Sequence, residues 1–280
     1  MIIDAHQHYW QLDRGGYGWI GPHRPVLNRD HMPEDLAGSL IANGIARTIV
    51  VQSVPDVAET EFLQGLARDT PDIGGVVGWV DLETAAGAED LMRLAQDPVL
   101  VGLRAMAQPQ PEADWLCRLI GSPALQQLEA ADLVLDLLVQ PHHLASALDL
   151  ALAHPGVRMV VDHAAKPDPA DLPAWERGME RLAGCANLTC KLSGLTACVS
   201  GPSLNQVTSV LVRLFGPERL IWGSDWPVLN ETSTYSDWCA TSRDLLADLS
   251  SSARAQIFGG VAERIYRLDR ARNLQTSKAD

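Results

Sequence analysis

The chain has 280 residues, 46% of them hydrophobic and 20% charged, with a formal net charge of −13. This suits a folded chain with a large core, and the acidic balance disfavours nucleic acid and anionic membrane as partners. It does not forbid an anionic substrate, because one local Arg reverses the field in a pocket, and surplus acids also serve plain solubility. The five cysteines, Cys117, Cys185, Cys190, Cys198 and Cys239, are odd in number and form no C-x-x-C pair. The chain opens directly on Met1-Ile2-Ile3-Asp4, without a basic stretch and an apolar leader. Free thiols and a cytoplasmic location are expected. No run approaches the roughly 20 apolar residues of a membrane helix.

In chain order, a first apolar run, Met1–His6, is followed by a long Gly-, Pro- and aromatic-rich loop, Gln11–Arg29. Pro33-Glu34-Asp35-Leu36 then opens a helix, with proline and acids in its first turn. Further short apolar runs are Ala46–Gln52, Ile73–Val80, Leu100–Met106, Leu133–Val139, Arg158–His163, Asn187–Leu192 and Arg219–Ser224. Between them, apolar residues at helical spacing mark Glu59–Arg68, Ala88–Ala95, His143–Ala153, Trp175–Ala183 and Val207–Phe215. Each apolar run is too short for a helix and nearly continuous, as a strand covered on both faces should be. Eight β–α units predict an α/β fold, a single distorted (β/α)8 TIM-type barrel over residues 1–268, with a polar tail over 269–280. The alternative is a doubly wound open sheet, which the lack of a glycine-rich phosphate loop after the first strand disfavours.

Polar residues gather where these strands end. The first closes on Asp4-Ala5-His6-Gln7-His8, and residues two apart on a strand share a face, so His6 and His8 both point to the barrel mouth. Gln52, Asp81 and Arg104 end the next three strands. The sixth runs into Asp162-His163-Ala164-Ala165-Lys166-Pro167, and a second Pro/Asp-rich loop, Lys166–Pro173, follows. The seventh supplies Lys191 and Ser193, and the eighth Asp225. Strand eight adjoins strand one in a closed barrel, which brings Asp225 beside His6 and His8, with His163 across the rim. A lone H-x-H pair is equally a structural feature; four such residues at the same end of separate strands point to a catalytic site. Arg104 reads as a substrate anchor or an ion-pair partner, and Lys191 likewise. Trp19, Trp79 and Trp226 fall near the mouth, where an indole can stack on a sugar ring or simply pack.

These motifs, with Gly78-Trp79-Val80-Asp81-Leu82, Gly102-Leu103-Arg104, Cys190-Lys191-Leu192-Ser193-Gly194 and Gly223-Ser224-Asp225-Trp226-Pro227, resemble the lactonase branch of the amidohydrolase superfamily. The similarity runs from Ile2 to about Leu268 and is nearest to the sugar-lactone members, such as L-fuconolactonases and L-rhamnonolactonases. The resemblance implies hydrolysis at a carbonyl, with His6, His8, His163 and Asp225 as the catalytic set and Arg104 contacting substrate. The sequence departs from the metal-bound relatives on the fifth strand, Leu133–Gln140, which has no histidine; His142 and His143 come only after it. It also has Val261 where related members often carry asparagine.

The expected reaction is hydrolysis of a sugar-acid lactone, an aldonolactone like L-fucono-1,5-lactone. Asp225 activates water and the three histidines donate to the carbonyl oxygen. Arg104, Gln52, Trp19, Trp79, Lys191 and Trp226 are the expected substrate contacts. No Gly-x-Ser-x-Gly nucleophile motif is present. No cofactor is expected; the alternative is a single divalent cation such as zinc on His6, His8 and Asp225. Two rival readings are a zinc-dependent decarboxylase of the same superfamily and a sugar-acid binder without catalysis. The expected partner is a small-molecule sugar lactone, with no nucleic acid and no membrane, and a homo-oligomer is left open.

Overall fold

The computed structural model describes residues 1–269. Eight parallel strands form one sheet in sequential order: β1 (Ile2–Gln7), β2 (Ile45–Val51), β3 (Ile73–Gly78), β4 (Leu100–Met106), β5 (Val134–Leu138), β6 (Met159–Val161), β7 (Leu188–Leu192) and β8 (Leu220–Trp222). At the mouth the sheet closes on itself: Gln7 bridges Trp226 in parallel, and the Asp225 amide donates to the His6 carbonyl at 2.7 Å. The eight-stranded barrel expected from the sequence is therefore the fold, and the open-sheet alternative is excluded. The tail expected over 269–280 lies, beyond Asp269, outside the described residues.

The helices around the barrel are α1 (Pro33–Asn43), α2 (Val57–Asp69), α3 (Ala85–Leu94), α4 (Pro123–Ala130), α5 (Leu144–Ala153), α6 (Leu172–Ala183), α7 (Pro202–Phe215) and α8 (Tyr235–Leu245). Their starts follow local chemistry. Asp56, Thr84, Ser122, Asp171 and Thr234 each accept a backbone N–H of the helix they open. Two more helices, α9 (Ser251–Ala255) and α10 (Val261–Tyr266), flank a wider turn over Gln256–Gly260. No helix among the described residues is long and apolar enough to cross a membrane.

Two apolar layers hold the barrel. The outer one lies between strands and helices and includes Val50, Leu103, Leu135 and Leu192 against Leu63, Leu91, Leu148 and Val207. The inner one fills the barrel: Ile3, Ala5, Ile49, Val51, Val77, Val101, Val134, Val160 and Ile221, sealed from below by Val261, Ala262, Tyr266 and Leu268. The base of the barrel is thus plugged by α10, which keeps the mouth as the open end.

The placement of the first-strand histidines depends on a bulge. Asp4 pairs with Thr48 but Gln7 pairs with Val50, so three steps of β1 oppose two of β2. The extra residue restarts the alternation. Ile3 and Ala5 sit in the inner layer, and then His6 and His8 also face inwards above them. The Asp4 side chain turns the other way and ties β1 to the β8 end, accepting from the Ser224 hydroxyl at 2.6 Å and Tyr235 at 2.9 Å.

Candidate active site

A cavity of about 430 Å³ opens at the C-terminal ends of the strands. His8, His163 and Asp225 form its floor, Arg104 and Lys166 add positive charge, and Trp19, Arg24 and Ser53 belong to its rim. Ligand sites of parallel barrels lie at this end because the βα loops are free to vary there.

One oxygen, Asp225 Oδ1, is the focus. His8 Nε2 lies 3.3 Å from it, and His6 Nε2 and His163 Nε2 both lie at 3.7 Å. Each opposite ring nitrogen is fixed by the scaffold. His8 Nδ1 meets the Val51 carbonyl at 2.7 Å, His163 Nδ1 meets Ser193 Oγ at 2.9 Å, and His6 Nδ1 meets Asp162 at 3.3 Å and Lys191 Nζ at 3.2 Å. Burial pushes the His163 imidazole down to about 4 and His6 well below its usual range. Burial alone would raise Asp225, but His163, His8 and His6 outweigh it and hold the carboxyl well below the usual carboxylate range.

The backbone here is unusual. His163, Ala164, Ala165 and Lys166 all have positive φ, between 50° and 58°, and Asp225 has φ 64°. Left-handed backbone is disfavoured for residues with a Cβ and concentrates at functional sites. Gly194 keeps space open beside this group: at φ 62°, a Cβ there would lie 2.6 Å from His163 Nδ1 and 3.0 Å from Asp225 Oδ2.

Beneath the floor lies a buried charge cluster. Lys191 Nζ is 2.5 Å from Asp136 and 3.1 Å from Asp162, and Tyr266 donates to Asp136 at 2.7 Å. Burial raises Asp136 to about 6 against the pull of Lys191. For Asp162 burial acts the same way, but Lys191 and His6 outweigh it and keep the carboxyl well below its usual range. His6, Asp136 and Asp162 also form a cluster of metal-ligand type, but the Lys191 ammonium already lies against all three.

The expected substrate contacts divide. Arg104 and Trp19 line the cavity. Gln52 does not: it is buried behind Arg104, whose guanidinium donates to its carbonyl and lies 3.4 Å from its side-chain oxygen. Lys191 is fully buried in the charge cluster, as the ion-pair alternative required. Trp226 packs edge-on against Tyr9 and His31, and Trp79 is tied through its backbone to Thr60 on α2; neither lines the cavity. Arg24, Ser53, Gln108 and Lys166 line it without having been singled out. Lys166 had a signal in its Asp-His-x-x-Lys-Pro motif, whereas Arg24 and Ser53 sit on loops whose course no local pattern fixes.

His6, His163 and Asp225 bring their ligand atoms together as a metal would need, and His8 Nε2 lies 3.3 Å from the same Asp225 oxygen, so His163 joins the expected set beside His8. The site fits a cation on its own chemistry. His8 Nδ1 faces a carbonyl and must donate, so a neutral His8 turns a lone pair towards the Asp225 carboxylate at 3.3 Å. A proton or a cation between them relieves that repulsion, and the fixed Nδ1 partners are the kind that orient metal-binding imidazoles.

With this geometry in hand, comparison with known proteins decides the family. The amidohydrolase family model matches residues 3–268. The chain belongs to the amidohydrolase family. A relative named L-fucono-1,5-lactonase from Burkholderia ambifaria is 41% identical to this amidohydrolase, covering 96% of each chain. A second protein of that name, from Burkholderia multivorans, is 33% identical with the same coverage. A crystal structure of a Burkholderia multivorans amidohydrolase with bound zinc superposes with a TM-score of 0.87 at 33% identity, covering 95% of this chain and 99% of the other.

Proposed function

We propose that this amidohydrolase hydrolyses a sugar-acid lactone of the L-fucono-1,5-lactone type to the free aldonic acid. Two relatives of that name, alike over nearly their whole length, support the reaction. The observation that carries the mechanism is the single oxygen Asp225 Oδ1 on the cavity floor, facing three imidazoles. A carboxylate held ionised there takes a proton from water as the water adds to the lactone carbonyl. His163 and Arg104, which line the cavity, supply N–H donors to the oxygen that becomes negative, and His8 does so when it carries a proton on Nε2, a contribution on the order of 3 kcal/mol per donor. Asp225 then returns the proton to the ring oxygen as the C–O bond opens. Trp19 gives an apolar face to the sugar ring.

A divalent cation would be held by Asp225 with His6, His8 and His163 around it. When bound it would polarise the lactone carbonyl as a Lewis acid. The water activation and charge stabilisation described above come from the chain's own groups, so turnover is proposed not to depend on the cation. The five cysteines are free thiols, which supports a cytoplasmic setting.

The test joins a variant to a metal measurement. Asp225→Asn is expected to lower kcat at least about 10²-fold while the product acid still binds. Wild type dialysed against a strong chelator is expected to keep most of its activity, with residual metal measured by elemental analysis. Activity that falls with metal content and returns on adding zinc would make Asp225 a ligand rather than the base. Asp225→Asn turnover within about tenfold of wild type would also remove it from that role.

A further inference from the structure

Three observations meet at Lys166. It lines the same cavity as Asp225, His163 and Arg104. It ends the left-handed run that begins at His163, and that run is pinned at both levels: the Lys166 amide donates to the His163 carbonyl at 2.8 Å, and the Trp175 indole donates to Ala164 at 2.7 Å. Among the described residues its ammonium makes no hydrogen bond and no ion pair. The neighbouring cations differ. Arg104 is held by Gln52 and Asp162, Lys191 by Asp136 and Asp162, and Arg24 by Glu231. Lys166 is half-buried, and an ammonium partly drawn out of water without a partner is costly. Strained backbone is maintained only where the surrounding structure enforces it. Both features make sense when the partner arrives with the ligand.

We infer that Lys166 is a catalytic residue that touches substrate: its ammonium receives the lactone carbonyl oxygen as charge develops on it, and afterwards the carboxylate of the opened acid. The inference rests on the lactone-hydrolysis reading and assigns this side chain a place within it. The step balances without a proton from Lys166. Water oxygen bonds to the carbonyl carbon and Asp225 takes one proton. The ring C–O bond breaks with its electron pair on the ring oxygen, and that oxygen receives the proton from Asp225. The new carboxyl group ionises to solvent, leaving an anion against a lysine that has stayed charged throughout. Burial lowers the Lys166 pKa and Asp225 opposes this, so an arriving anion also steadies the charged form.

The experiment compares L-fuconate with L-fucitol, which share stereochemistry and differ in carboxylate against alcohol, by titration calorimetry. If wild type opens a different lactone, the matching acid and alditol are used. Wild type is expected to bind the acid at least about tenfold more tightly than the alditol. Lys166→Met and Lys166→Gln should lose that preference while binding the alditol unchanged, and Lys166→Arg should keep most of it. On the lactone, Lys166→Met should lose about 10²-fold in kcat/KM, the effect expected for one oxyanion donor, with Lys166→Arg between it and wild type. Folded Met and Gln variants that keep both the acid preference and the turnover overturn the inference, as does a wild type that shows no preference. If wild type opens no lactone at all, the hydrolysis reading fails separately, since the binding contrast is measured without turnover.

Discussion

Lys191 shows how a residue beside a site differs from one within it. It sits near the mouth end of β7 with no exposure, touching Asp136, Asp162 and His6. Removing its charge strands two buried carboxylates, which costs about 3–5 kcal/mol when one partner of a buried pair is lost. Lys191→Met is therefore expected to lower the urea midpoint strongly, and to lower turnover through a displaced His6 rather than through a lost substrate contact. A variant that kept wild-type stability but bound substrate poorly would return Lys191 to the cavity. The sequence alone left both roles open, because a strand-end lysine carries no mark of whether its ammonium turns down into the barrel or up into the mouth.

At the scale of elements, the strands were legible because parallel strands buried on both faces must be continuously apolar. Each expected run lies within a residue or two of the strand it marks, as Leu133–Val139 does around β5 (Val134–Leu138). Helix α4 went unread because it is short, and α8 because its apolar residues are few among polar ones, Tyr235, Trp238 and Cys239 being the buried apolar side chains. The bulge in β1 was invisible, since one extra residue changes the register without changing composition. The left-handed run at His163–Lys166 contains no glycine to announce it. The loops meet across the mouth through Arg24 and Glu231, with Arg24 also 5.0 Å over the Trp19 ring. Each partner of this pair keeps about a quarter of its side chain exposed, so it adds only about 0–1 kcal/mol to stability. Arg24→Ala should leave the melting temperature nearly unchanged and raise KM several-fold as the Trp19 wall loosens. An unchanged KM would show that the loop needs no such tie.

The whole molecule joins its two ends through the charge cluster. Tyr266 rises from α10 at the base and donates to Asp136, which pairs with Lys191, which in turn touches His6 just beneath the floor of the mouth. Tyr266→Phe leaves one buried carboxylate oxygen without its donor and should cost about 1–3 kcal/mol in chemical denaturation. Because Tyr266 is remote from the cavity lining, kcat at low temperature should stay close to wild type; a kcat loss exceeding the stability loss would reveal coupling from base to mouth.

The plug also bears on the order of assembly. Every strand precedes residues 261–268 in the chain, so a ribosome delivers the full wall of the barrel before the piece that fills its floor. Until that piece arrives, Ile49, Val77, Val134 and Ile221 line an open-bottomed tube, and the Asp136–Lys191 pair lacks its phenol. Such an unfinished species exposes the surface that chaperones recognise. Delaying the emergence of residues 261–268 from the ribosome would therefore lengthen chaperone dependence, whereas the same delay imposed after they have emerged would leave it untouched.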